Sequence, residues 1–128
     1  MREALKEAAL AAAEGEVPVG AVMVCNGRII ARAHNLTETL NDVTAHAEMQ
    51  VITMAAEYIG GKYLNDCTIY VTVEPCPMCA AALNWAQLGR LVYGAADPKR
   101  AAIPASRRPC CTRRPKSFPA SSPRNAVR

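Results

Sequence analysis

The first fourteen residues are rich in alanine, and Met1–Glu14 reads as a helix that Gly15 stops. The pattern then changes from helical to extended. Two apolar runs, Val19–Val24 and Ile29–His34, flank Asn26-Gly27. Asn-Gly between two such runs predicts a two-residue hairpin of type I′, because both central positions need positive φ. Thr44 stands where an N-cap would stand, and an apolar helical stretch over Ala45–Ile59 runs up to Gly60-Gly61. Thr68–Val73 is a β-branched strand, Cys76–Leu88 a helix ended by Gly89, and Leu91–Tyr93 the next strand. A hairpin followed by strand–helix–strand units predicts an α/β chain, with a mixed sheet covered by helices on both faces. Ligands of such sheets bind outside the carboxyl ends of parallel strands, and the junction from Val73 to Cys76 is such an end.

That junction also carries the chemistry. Thr-Ala-His46-Ala-Glu48 and Glu-Pro-Cys76-Pro-Met-Cys79 supply one imidazole and two thiolates suited to a metal ion, with a carboxylate beside them. Catalytic zinc sites keep three protein ligands and leave the fourth position to water. Two thiolates neutralise a divalent ion, and Glu48 is placed to move protons as general base and general acid. His46 and Glu48 fall in the first turn of the expected helix, where residues i and i+2 do not face each other. Both can serve one ion only if it lies beyond the open amino end. Pro75 suits a first helical turn, which would put Cys76 and Cys79 at a second helix start, where free N–H groups and the dipole favour thiolates. The competing reading is a zinc clip that only staples the fold, with Glu48 on a solvated face. Structural zinc nearly always has four protein ligands, however, and neither His34 nor the remaining cysteines show a matching spacing.

Composition adds bounds. The chain has 128 residues, 51% of them hydrophobic, enough for one domain with a core that needs no disulfides. No apolar run approaches the ~20 residues that span a bilayer, and Met-Arg-Glu-Ala is not the start of a signal peptide. Thiolate ligands need reducing conditions, so a cytoplasmic location is expected. Cys25 and Cys67 read as small buried or half-buried residues, Met49 and Met54 as core filling, and Trp85 as core or interface packing.

His46, Glu48, Cys76 and Cys79 together spell H-x-E…P-C-x-x-C, the established signature of zinc nucleobase deaminases. The chain resembles the cytidine-deaminase-like superfamily, and within it most resembles the bacterial tRNA-specific adenosine deaminases. The resemblance runs from Glu16 to Arg100, and Met1 to Glu14 fits the family's first helix. It is carried by Val17-Pro-Val-Gly-Ala-Val22, Asn35, Asp42-Val-Thr-Ala-His46-Ala-Glu48, Tyr70-Val-Thr-Val-Glu-Pro-Cys76-Pro-Met-Cys79-Ala and Tyr93-Gly-Ala-Ala-Asp97. It implies a three-layer α/β/α cytidine-deaminase-like fold and zinc held by His46, Cys76 and Cys79, with Glu48 as proton shuttle. It also implies that Asn35 contacts the substrate nucleoside, that Asp97 lies near the nucleic-acid backbone, and that the protein is a homodimer. As a residue type, Asn35 equally suits a turn, and Asp97 before Pro98 could simply start one.

After Arg100 the composition breaks. Residues 1–100 carry a net charge of −3 and read as the deaminase domain, whereas 101–128 carry +7, with five prolines and no acidic residue. Such a tail cannot bury enough apolar surface to order itself. It reads as a basic arm for RNA phosphates, as a solvated tail without a task, or as a non-native ending. The last is favoured: the family's final strand and helices are missing, and the Arg/Pro/Ala/Ser/Cys mixture resembles translation in a shifted frame. The amino end is also expected to be shortened. Three functions follow in order of preference: hydrolytic deamination of adenosine to inosine in a tRNA anticodon loop, deamination of free guanine or cytosine, and a non-catalytic zinc-binding scaffold.

Overall fold

The computed structural model describes residues 1–96; Asp97 and the basic segment 101–128 lie outside them. The elements run α1 (Arg2–Ala13), β1 (Gly20–Cys25), β2 (Arg28–His34), α2 (Ala47–Ile59), β3 (Cys67–Val73), α3 (Pro77–Trp85) and β4 (Arg90–Ala95). The strands form one sheet in the order β2-β1-β3-β4. β1 is antiparallel to both its neighbours, and β3 and β4 are parallel, so the sheet is mixed as expected.

The hairpin turns where Asn-Gly places it. Asn26 and Gly27 have φ of 54° and 75°, and Cys25 pairs with Arg28 across the two-residue loop. A bulge between Met23 and Val24 shifts the register within the hairpin.

Alternation along the strands sorts the layers. Ala21 and Met23 of β1, Ala31 and Ala33 of β2, and Ile69 and Val71 of β3 pack with Ala47, Val51 and Ala55 of α2 and Leu83 of α3. Met23, Ile69 and Leu83 are fully buried, each contributing about 1.5–3 kcal/mol by leaving water. α1 covers the other face through Ala4, Ala8 and Ala11. These small residues let its backbone lie close to the sheet, and Gly20 completes the fit. A Cβ at Gly20 would run into the Ala4 carbonyl and the Ala8 backbone nitrogen. Because β1 is covered on both sides, it reads as a continuous apolar run.

Two expectations about packing need correction. Met54 lies off the buried stripe Ala47, Val51 and Ala55 of α2 and is exposed rather than core filling. Trp85 is 81% exposed, because it falls on the side of α3 opposite Leu83, which removes the core half of its reading and leaves the interface half. Cys25 is half-buried and Cys67 buried, as anticipated. Burial and the neighbouring Cys25 push the Cys67 thiol up to about 12, which keeps it protonated and inert. Among the described residues no helix is long and apolar enough to cross a membrane.

Candidate metal centre and active site

Register brings three segments to one end of the sheet. Gly20 pairs with His34 and Ala21 with Val71, so the entry to β1, the exit from β2 and the exit from β3 lie side by side. Val17, Val19, Asn35, Thr37 and Cys76 belong to those entries and exits. The starts of α2 and α3 meet them there.

Each helix begins one residue after an extended N-cap. His46 caps α2 with φ −73° and ψ 154°, and Cys76 caps α3 with φ −69° and ψ 169°. Glu48 is then the second residue of α2, and Cys79 the third of α3. This corrects two expectations. Thr44 does not cap α2, because its N–H and hydroxyl both donate to the Asp42 carboxylate, at 2.8 and 2.7 Å, and close a turn two residues too early. The proline in the first helical turn is Pro77 rather than Pro75; it lacks the N–H that would be orphaned there anyway.

His46 Nδ1 lies 3.6 Å from Cys76 Sγ and 3.4 Å from Cys79 Sγ. The three candidate ligand atoms all fall within 4.8 Å of one another. A tetrahedral zinc, with Zn–S near 2.3 Å and Zn–N near 2.0–2.1 Å, requires N···S separations of about 3.6 Å. The donor set therefore fits zinc in both chemistry and spacing. The Cys76 thiol is drawn down to about 5. A hydrogen bond from the Cys79 thiol is the largest cause, opposed by burial and aided by the Cys79 backbone N–H, the nearby His46 and the Met78 N–H. At neutral pH Cys76 is a thiolate, the form that binds metal.

Beside this trio is a pocket of about 90 Å³ lined by Val17, Val19, Asn35, Thr37, His46, Ala47 and Glu48. Glu48 is completely buried, not on a solvated face. Its place in the first turn of α2 puts the carboxylate in a favourable dipole field. Gln50 ties this turn to the sheet, since its side-chain amide donates to the His34 carbonyl at 2.7 Å and to the Ala45 carbonyl at 3.2 Å. The structure thus gathers His46, Cys76, Cys79, Glu48 and Asn35 at one place; Asp97 is not among the described residues.

Sequence reasoning missed Glu16. Its carboxylate is 5% exposed and accepts from the Thr39 hydroxyl and N–H, both at 2.6 Å, from the Glu38 N–H at 3.1 Å, and from Asn35 Nδ2 at 3.4 Å. The Thr39 hydroxyl, opposed by burial and helped by the two N–H groups, holds this carboxyl below its usual range. A single acid before an apolar strand carries no spacing that would have revealed this. Thr37 was missed for the same reason: its hydroxyl accepts from Asn35 Nδ2 at 3.1 Å, a contact made within the loop after β2. His34 is excluded from the metal site, because Glu7 and Glu14 hold its two ring nitrogens at 2.9 and 3.0 Å.

Residues 1–95 match the family described as the cytidine and deoxycytidylate deaminase zinc-binding region. Among curated relatives, the tRNA-specific adenosine deaminase of Agrobacterium fabrum is 55% identical over 103 residues, which is 80% of this chain and 68% of that protein. A solved structure from a study of A-to-I editing by tRNA:A34 deaminases at the wobble position of transfer RNA superimposes with a TM-score of 0.77. It is 55% identical and covers 80% of this chain and 79% of its own. The guanine deaminase of Bacillus subtilis superimposes with a TM-score of 0.72 at 41% identity, covering 74% of this chain and 61% of its own.

Proposed function

Because the chain belongs to the cytidine and deoxycytidylate deaminase zinc-binding family, we propose that it deaminates adenosine to inosine in a tRNA anticodon loop, by hydrolysis, with residues 1–100 as the catalytic domain. The observation that carries this reading is a fully buried Glu48 in one small pocket with Asn35 and His46, next to Cys76 and Cys79. High identity to proteins named tRNA-specific adenosine deaminase supports the choice of substrate.

His46, Cys76 and Cys79 would hold the zinc, which would supply a Lewis acid that activates water. Glu48 takes a proton from the attacking water and delivers it to the ring nitrogen next to the carbon under attack. A second transfer through the same carboxylate protonates the departing amine. Water and adenosine thus become ammonia and inosine with no net proton change. Asn35, across the pocket, holds the nucleoside by a hydrogen bond. Val17 and Val19 give the base an apolar wall and exclude bulk water. A looped-out anticodon base suits so small a pocket, since it is already unstacked and accessible.

The protein works in the cytoplasm as a homodimer on this reading. Exposed Trp85 on α3, with Met54 and Tyr58 on α2, supplies apolar surface for a partner subunit. Sedimentation of the Trp85→Ala protein as a monomer would support that contact, and an unchanged dimer would remove it. A second reading, deamination of a free base such as guanine, draws support from the guanine deaminase likeness and from the −3 charge of residues 1–100. Incubating the protein with an anticodon stem-loop, guanine and cytosine, and measuring ammonia from each, separates the two.

A further inference from the structure

We infer that Glu16 is a positioning residue that locks the Asn35 side-chain amide with its carbonyl oxygen towards the base pocket, so that the pocket selects a hydrogen-bond donor on the nucleoside. The inference rests on the proposed reading of the pocket as a nucleoside site and names what that site recognises.

Asn35 is 5% exposed and lines the pocket. Its Nδ2 donates to Thr37 Oγ1 at 3.1 Å and to Glu16 Oε1 at 3.4 Å. An amide nitrogen has two N–H groups, and these two acceptors, buried Glu16 and pocket-lining Thr37, engage both. Oδ1 is therefore the atom the amide offers to the pocket. The reversed amide would set Oδ1 against the Glu16 carboxylate, two acceptors with no proton between them in a buried place. Glu16 cannot turn away to relieve this, because Glu38 N–H, Thr39 N–H and the Thr39 hydroxyl hold its two oxygens. The same hydrogen bonds keep it ionised, and an ionised carboxylate only accepts. Glu16 thus fixes the polarity of a residue it adjoins without itself lining the pocket. The ligand group that answers Oδ1 is an N–H of the base or a hydroxyl of the ribose.

A hydrogen-bond swap tests this. In Glu16→Gln, one oxygen can still accept from Thr39, but the new NH2 takes the place of Oε1, leaves the Glu38 N–H without its acceptor, faces the Asn35 NH2 and drives the Asn35 amide round. We expect kcat/KM on an adenosine stem-loop to fall by roughly 10–100-fold, the scale of a misplaced contact, with zinc content close to wild type and a melting temperature lowered by the lost Glu38 contact. Asn35→Asp alone sets two carboxylates together and should lose a similar factor. In the double variant the new amide at position 16 donates to the new carboxylate at position 35, and an oxygen faces the pocket again. Activity should then recover at least about tenfold over either single variant. A residue that only supports the fold would give losses that multiply. A stem-loop with 2′-deoxyadenosine at the target separates the donors: unchanged turnover assigns the contact to the base or another hydroxyl, and a matching loss assigns it to the 2′-hydroxyl.

A second readout is independent of turnover. In the ¹⁵N-labelled protein, the Asn35 side-chain NH2 protons should exchange slowly with water, and faster in Glu16→Gln. If wild type shows no deamination of the stem-loop, the proposed function fails while this measurement still decides the lock. Unprotected Asn35 protons in wild type, or multiplying losses in the double variant, would overturn the inference.

Discussion

The wall of the site that carries His46, Cys76 and Cys79 is made from two helix starts, while the facing wall, with Asn35 and Thr37, is made from a loop tied down by Glu16. The first is local. N-cap and third helical residue are neighbours by geometry, so C-x-x-C at a helix start brings two sulfurs together without help from the rest of the chain. The second is long-range, since Glu16 reaches 22 and 23 positions along the chain to Glu38 and Thr39. A metal site built on caps depends on the ion to hold its ligands. A base pocket built on a buried carboxylate depends on the fold.

Removing the ion should expose that division most strongly. In Cys76→Ala we expect loss of zinc, loss of measurable activity, and loss of amide protection at the starts of α2 and α3, because metal binding and folding are coupled. The β1–β2 hairpin and the 37–39 loop should keep theirs in hydrogen-exchange measurements. Uniform loss of protection would break the comparison and make the two walls one unit.

Glu48→Ala comes next and sharpens it from the chemical side. Zinc and fold should persist, and the rate should fall by about 10²–10⁴-fold or more, as for a general acid–base group used in several steps. Metal analysis and single-turnover rates check both halves, and a zinc-free variant would move Glu48 to the ligand wall.

Much of the ligand wall was legible in the sequence for the same local reason. The four signature residues, the Asn26-Gly27 turn and the mixed sheet all follow from short-range patterns. Errors arose where a residue had a closer partner than its pattern allowed for. Thr44 looks like a cap until Asp42 takes its N–H and hydroxyl. Met54 and Trp85 look like core until the narrow buried stripes of α2 and α3 are known. The role of Glu16 was illegible because its partners lie far along the chain, and no periodicity links them. Gly20 could be placed in a strand, but the backbone it meets belongs to α1.

That contact sets a third prediction, of moderate size. Gly20→Ala forces the backbones of α1 and β1 apart and should destabilise by about 1–3 kcal/mol in denaturant unfolding, the usual scale of overpacking. The loss should fall on the fold that carries the pocket wall, leaving zinc affinity at the helix starts nearly unchanged.

The smallest effect concerns pH. Burial alone would lower the His34 pKa, but hydrogen bonds to Glu7 and Glu14 outweigh it and raise the value. A raised folded pKa means that protonated His34 stabilises the native state. This contribution is fully present below the unfolded value near 6.5 and is lost as pH rises through the raised folded value. Stability of wild type should therefore decline relative to His34→Gln across that window. Parallel curves would show that the link between α1 and β2 is indifferent to charge.

The most direct measurement uses zinc-loaded protein with an anticodon stem-loop bearing adenosine, and follows inosine and ammonia together, with free guanine and cytosine as parallel substrates. Inosine and ammonia are expected in equal amounts from the stem-loop, with little ammonia from either base. Ammonia from guanine, with no inosine formed in the stem-loop, would contradict the proposed function.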